Sequence, residues 1–264
     1  MPELAELRLT ADYINKSSND IKFTSVKKNP QHKGADLEIP FEKFRIKAQS
    51  RGKELVVGIL DCYSDKIIPI RWTMGMSGYF SLTKTGDEHK HAHITFCTDD
   101  GASLSFVDVR RFGKWKQGVW WNKDRSPDPT IEFKDFRLNV IDNLHRAAFN
   151  KPIYETLMDQ KFFNGIGNYL RAEILYRIPS LDPRTTGREV IASHPEVLEL
   201  CRDIPNMAYI QGGGSIRDWV NPFDGARDIH ENFMICYGRS GMGQVVDRNG
   251  RRFWFDPKWV TQTV

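Results

Sequence analysis

The stretch Asp159–Arg177, DQKFFNGIGNYLRAEILYR, decides how the chain is to be read. An apolar approach ends in Asn164-Gly165-Ile166-Gly167-Asn168, and apolar residues then recur at Leu170, Ile174 and Leu175. That recurrence is the period of a helix. The two glycines let the backbone turn where a side chain would clash. Asn168 stands where a helix N-cap belongs. A glycine-rich turn at a helix N-terminus points free amide N–H groups outward, and such groups bind phosphate. The same pattern also suits a plain helical hairpin with a glycine connector, so the flanking sequence has to arbitrate.

Upstream of this stretch the helical period already holds from Ile131, through Phe133, Phe136, Val140, Ile141 and Leu144. A helical domain is therefore expected to run to about Gln211. Gln117–Pro129 is polar, carries two prolines and reads as a linker. Downstream, Gly212–Arg227 is glycine-rich without periodicity and reads as a loop. Phe233–Tyr237, Gln244–Asp247 and Arg252–Phe255 read as strands. The last two are joined by Arg248-Asn249-Gly250, and Asn-Gly is a strong hairpin signal. At the other end, Leu4, Leu7, Ala11 and Ile14 give Glu3–Ile14 a helical spacing. Between lie Ile21–Val26, Phe44–Ala48, Lys53–Leu60, Ile67–Met74, Tyr79–Leu82, His91–Cys97 and Leu104–Val107. Short strands so spaced, with turn signals between them, predict a two-sheet sandwich. The expected fold class is α+β. A two-layer β-sandwich with an N-terminal helix occupies residues 1–125, and a helical domain occupies 126–264.

The bulk numbers set limits. With 264 residues there is enough chain for two domains with cores of their own. Hydrophobic content of 40% and charged content of 27% suit a soluble globular protein. The net charge of +4 is compatible with a nucleic-acid partner without requiring one. Clustering says more, since Arg110, Arg111, Lys114 and Lys116 lie together, as do Arg239, Arg248, Arg251 and Arg252. No signal peptide or long apolar run is found, so an intracellular protein with no membrane partner is expected. The cysteines at 62, 97, 201 and 236 never form a Cys-x-x-Cys pair, which points to reduced, buried thiols.

The N-terminus Met1-Pro2-Glu3-Leu4-Ala5-Glu6-Leu7, read beside Asn164–Asn168, resembles the formamidopyrimidine-DNA glycosylase/endonuclease VIII family of base-excision repair enzymes. Arg51–Leu55 (RGKEL), Met74–Phe80 (MGMSGYF) and Phe106–Trp115 (FVDVRRFGKW) resemble it too. Five motifs fall in the family's order over nearly the whole chain, nearest to the animal endonuclease VIII-like proteins of the first type. The resemblance implies a helix–two-turns–helix at about 152–178 and a β-hairpin finger at about 233–256. It implies a bifunctional glycosylase and abasic-site lyase that removes oxidised pyrimidines and formamidopyrimidines by β,δ-elimination. Its partner would be damaged DNA, whether double-stranded, bubble or single-stranded. The chain would act as a monomer, in the nucleus of a eukaryotic cell, without a cofactor.

Individual residues can be weighed against that chemistry. Removal of Met1 leaves Pro2 with a secondary α-amine, whose ordinary pKa of roughly 7.7–8.0 keeps a useful fraction unprotonated. Such an amine can attack a sugar carbon and form an iminium, the family's nucleophilic step. Glu3 is placed to shuttle protons, and Glu6 matches a supporting acid. Lys53, at a turn-to-strand junction, matches a lysine that contacts DNA near the lesion. Met76, Arg110 and Phe112 match the residues that fill the gap left by an extruded base. Arg111 and Asn168 match phosphate clamps. Gln211, Gly212, Gly213, Gly214 and Ser215 fall where relatives carry a lesion-recognition loop, and three glycines in a row leave the backbone much freedom.

The chain also departs from its relatives. Most carry two Cys-x-x-Cys pairs near the C-terminus that bind zinc. Only Cys236 lies there in this chain, so no metal is expected and the hairpin is a zincless finger. Arg251 or Arg252 would be its groove-entering arginine, with the spacing to Trp254-Phe255 favouring Arg251. Leu4-Ala5 replaces the usual Gly-Pro, and Thr73 replaces a frequent basic phosphate contact.

Overall fold

Alternation is plainest in β2 (Phe44–Arg51), where Phe44, Ile46 and Ala48 are buried while Arg45, Lys47 and Gln49 face solvent. β3 (Glu54–Asp61) is buried along most of its length, as befits an inner strand covered on both faces. With β4 (Ile67–Thr73) and β8 (Lys114–Gln117) these make a four-stranded antiparallel sheet in the order β2-β3-β4-β8. A second antiparallel sheet, β1-β6-β7-β5, contains β1 (Ser25–Lys28), β5 (Tyr79–Lys84), β6 (Ala92–Cys97) and β7 (Ala102–Val107). The two sheets enclose an aromatic core. Trp72 lies 4.8 Å from Phe106, 5.3 Å from Phe80 and 5.3 Å from Trp115, ring centre to ring centre. α1 (Leu4–Ser17) adds Leu7, Ala11 and Ile14 to that core. Its Asn15 satisfies the sheet edge, bonding both the N–H (2.7 Å) and the C=O (2.9 Å) of Ala48.

The computed structural model describes residues 1–214, 219–223 and 233–259. The chain divides into two compact units, each drawn from separated segments. The first holds the sandwich, with residues 1–2, 6–122 and 219–223. The second holds residues 3–5, 123–214 and 233–259. It contains α2 (Phe133–Asp142), α3 (Ile153–Thr156), α4 (Asn168–Tyr176), α5 (Gly187–Ser193) and α6 (Glu196–Ile210). An antiparallel hairpin of β9 (Gly243–Val246) and β10 (Arg252–Phe255) completes it. Between α3 and α4 the chain makes successive turns, with Phe163 N–H donating to Asp159 (2.8 Å) and Ile166 N–H to Phe163 (3.3 Å). Gln160 braces them, accepting from Gly165 N (3.0 Å) and donating to Ile166 O (2.8 Å).

Five local expectations need correction. The strand expected at Ile21–Val26 starts at Ser25, because Phe23 instead bridges to Phe44 and drops its ring into the core. β8 falls where no strand was expected, overlapping the basic cluster of Arg110, Arg111, Lys114 and Lys116, and only Trp115 of its four residues is buried. Asn168 is the first residue of α4 and Gly167 the N-cap. Phe233–Tyr237 is not a strand but a set of bends, and its amides turn inward to a buried carboxylate described below. The glycine run is not loose at its start. Gly212 N–H donates to Tyr209 O and Gly213 N–H to Ala208 O, closing the end of α6. Those bonds require positive φ, +85° and +98°, which glycine supplies at little cost. Ser215 lies outside the described residues.

Candidate active site and nucleic-acid interface

In the first unit one cavity of about 360 Å3 gathers four of the singled-out residues, Pro2, Lys53, Met76 and Phe112. Leu7 and Thr73–Gly75 complete its wall together with Met1. Pro2 is buried and immediately precedes Glu3 and α1. Lys53 is the second residue of the two-residue turn between β2 and β3. A hairpin that tight aims its side chain from a rigid base. Met76 follows β4 in a turn closed by Gly78 N–H donating to Met74 O (2.9 Å). The close approach here needs Gly75, with φ +62°, since a Cβ would lie 2.6 Å from the Gly113 nitrogen.

Phe112 comes from the loop after β7, and buried Asp108 organises that loop. One of its oxygens accepts from Ser77 Oγ (2.5 Å) and Arg110 N (3.2 Å), the other from Gly113 N (2.7 Å). Its carbonyl accepts from His93 Nε2 (2.8 Å). So tied at its base, the loop presents Arg110, Arg111 and Phe112 to solvent, with Phe112 54% exposed. Arg110 sits 5.3 Å over the Phe112 ring. Arg111 has φ +57°, a left-handed conformation that costs a residue with a Cβ about 1 kcal/mol and persists only under such constraint. The His32 ring lies 4.5 Å from that of His93, tilted against it, and burial, then His93 and Arg111, hold its pKa below the ordinary histidine value. Asp108→Ala is expected to cost about 3 kcal/mol of stability, measured by thermal melting, because a charged acceptor with several donors is lost.

Glu3 belongs to the second unit, and its place there is set by α4. Its carboxylate accepts from the backbone N–H of Tyr169 and of Leu170, each at 3.2 Å. Leu4 N–H donates to Gly165 O at 3.2 Å. The first-turn amides that the sequence reading left open for phosphate are therefore partly taken by Glu3, which caps a helix more than 160 residues away in sequence. Gly214 packs on the Tyr169 ring, where a Cβ would meet ring carbon at 2.8 Å. Glu6, a buried residue of α1, belongs to the first unit.

α4 also carries the hairpin. Asn168 Nδ2 donates to Arg252 O (3.1 Å). Arg171, wholly buried, pairs with Asp247 at 2.9 Å. Arg251 and Arg252 are exposed beside the hairpin turn, whereas Arg248 is paired with Glu155 at 3.1 Å. Among the described residues, no three His, Cys, Asp or Glu side chains come together to hold a metal ion. Cys236 is buried and its thiol is pushed up to about 12 by burial and by Glu173. Sequence reasoning missed Asp108, Arg171 and Glu173. Asp108 had a signal, since an Asp followed by residues that must turn is a side-chain-capped loop. The other two are charges set between apolar neighbours on a helix, which marks buried charge.

Residues 1–115 match the formamidopyrimidine-DNA glycosylase N-terminal domain family, and residues 229–258 match the family described as Endonuclease VIII-like 1, DNA bind. Human endonuclease 8-like 1 is 37% identical over 97% of this chain and 72% of its own length, and the mouse protein 36% over the same shares. A formamidopyrimidine-DNA glycosylase of Streptococcus pneumoniae is 30% identical over 97% of this chain and 98% of its own. In fold, the chain matches Lactococcus lactis Fpg in complex with abasic-site DNA, with TM-score 0.78 at 24% identity over 97% of this chain and 98% of that one. It likewise matches MutM (Fpg) from Thermus thermophilus, with TM-score 0.77 at 22% identity over 98% of each. The family match and these relatives make the chain a DNA glycosylase of base-excision repair. The chain belongs to the formamidopyrimidine-DNA glycosylase/endonuclease VIII family.

Proposed function

We propose that this chain is a bifunctional DNA glycosylase and abasic-site lyase with Pro2 as nucleophile. After removal of Met1, the Pro2 nitrogen attacks C1′ of the damaged nucleotide, the C1′–N glycosidic bond breaks, and the base leaves with a proton. Opening of the sugar ring converts the adduct to an iminium. That electron sink acidifies C2′, whose proton is removed as the 3′ phosphate departs. Loss of the C4′ proton then expels the 5′ phosphate. Glu3 moves protons at the sugar and Lys53 assists at the lesion. Met76, Arg110 and Phe112 fill the vacated stack. Arg111 and Asn168 hold phosphate, and Arg251, favoured over Arg252, enters the groove. Gln211–Ser215 meets the lesion mainly through backbone groups, so selectivity among oxidised pyrimidines and formamidopyrimidines is broad. The substrate is damaged duplex, bubble or single-stranded DNA, and the protein works as a monomer, in the nucleus of a eukaryotic cell.

The observation that carries this reading is the single cavity shared by Pro2, Lys53, Met76 and Phe112. An end-labelled duplex with one oxidised pyrimidine tests it. Cleavage should leave phosphate on both sides of the gap, at an undiminished rate with a chelator present. An intact strand bearing an abasic site would refute the lyase half.

A further inference from the structure

We propose that Arg171 and Glu173 of α4, together with Asp247, are positioning residues that lock the hairpin so that Arg251 meets DNA from a fixed base. The inference rests on the role given to Arg251 above. Arg171 Nη1 donates to Asp247 and to Tyr154 O, both at 2.9 Å, and Nη2 donates to Asn168 Oδ1 at 2.5 Å. The second oxygen of Asp247 accepts from Asn249 N and Arg251 N, each at 2.9 Å. The buried pair thus ends on the Arg251 backbone itself. Glu173 serves the other end of the segment. Its buried carboxylate accepts from Ile235 N (3.1 Å), Cys236 N (3.0 Å) and Tyr237 N (2.8 Å). Arg177 bonds Glu173 at 2.9 Å and reaches Phe233 O at 3.0 Å.

Residues two apart on a helix point to opposite sides. Arg171 and Glu173 therefore hold the hairpin turn and the segment leading into it from one helical turn. A buried ion pair is a poor route to stability, since well-packed apolar residues do as well or better, but it fixes register. Arg171 Nε is buried without a partner, a cost consistent with a device kept for placement. Burial alone would raise the Asp247 pKa. The amides of Arg251 and Asn249, with Arg171, outweigh it and hold the carboxyl below its ordinary value. The lock is therefore complete above the ordinary carboxylate range and weakens only as pH falls through the lowered value.

The test is a double-mutant cycle in the full chain on a duplex with an abasic-site analogue, with melting recorded for each variant. Asp247→Asn and Arg251→Ala should each weaken affinity about tenfold, and the double variant should be no more than about twofold weaker than either. The single-turnover rate at saturating DNA should stay within about twofold of wild type for Asp247→Asn, since the lock acts on binding rather than chemistry. Additive losses near a hundredfold would overturn the inference. If Asp247→Asn does not fold, Glu173→Gln takes its place in the same cycle, and failure of both to fold would make these residues fold determinants and overturn it. If Arg251→Ala alone leaves affinity unchanged, the finger reading falls and this inference with it. Additivity after a real Arg251 effect sinks only the inference.

Discussion

With Met1 retained, base excision and abasic-site cleavage should both fall by on the order of 10^4-fold, while duplex affinity stays within about threefold of the processed enzyme. The reason is electronic. Acylation by Met1 turns the Pro2 nitrogen into a tertiary amide, whose lone pair is delocalised into the carbonyl and no longer attacks carbon. Binding survives because the groups proposed to hold DNA, Arg111, Asn168 and Arg251, lie on the β7–β8 loop, α4 and the hairpin. Single-turnover assays on processed and unprocessed protein, each verified by intact mass, read the difference. Full activity in the unprocessed protein would remove Pro2 from the mechanism.

Glu3→Gln should separate the two reactions. Excision is expected to drop by about 10^2- to 10^3-fold, the range for loss of a proton-transfer group, while cleavage of a preformed abasic site stays within about fivefold. A preformed site has no base left to protonate. The structure adds a condition. Glu3 caps α4 through both oxygens, on Tyr169 and Leu170, and a glutamine offers only one oxygen acceptor. A stability loss of about 1 kcal/mol is therefore expected as well, measured by melting. Equal loss of excision and lyase action, scaling with that destabilisation, would make Glu3 a cap rather than a proton carrier.

The contrast between β2 and β8 explains which parts of the fold were legible. In β2 every second residue from Phe44 to Ala48 is apolar and buried, so local pattern and tertiary environment agree. β8 is Lys-Trp-Lys-Gln, whose only inward residue is Trp115, and four residues give a period-2 pattern too few repeats to stand out. Phe233–Tyr237 failed for the opposite reason. Its aromatic, β-branched composition favours a strand, but Glu173 consumes the amides a strand would need, and a partner sixty residues distant leaves no local trace. The cap of α4 is similar, because Asn168 was the nearby candidate and Glu3 fills the position from the far end of the chain.

At the site, the spacing around Met76 and the Arg110-Arg111-Phe112 run were readable, since their motifs are contiguous. What holds them was not. Asp108 ties Ser77, Arg110 and Gly113 into one loop base, and only the fold brings Ser77 to it. The buried charges of α4 were hidden by the usual expectation that Arg and Glu on a helix face water.

The most direct test of the central claim is to trap the covalent intermediate and locate it. Borohydride added during turnover on a lesion-bearing duplex reduces an iminium to a stable amine. Proteolysis and mass measurement should then find the DNA remnant on an N-terminal peptide that begins at Pro2 and lacks Met1. An adduct on Lys53 or any other lysine, or one on a peptide that still carries Met1, would contradict the account.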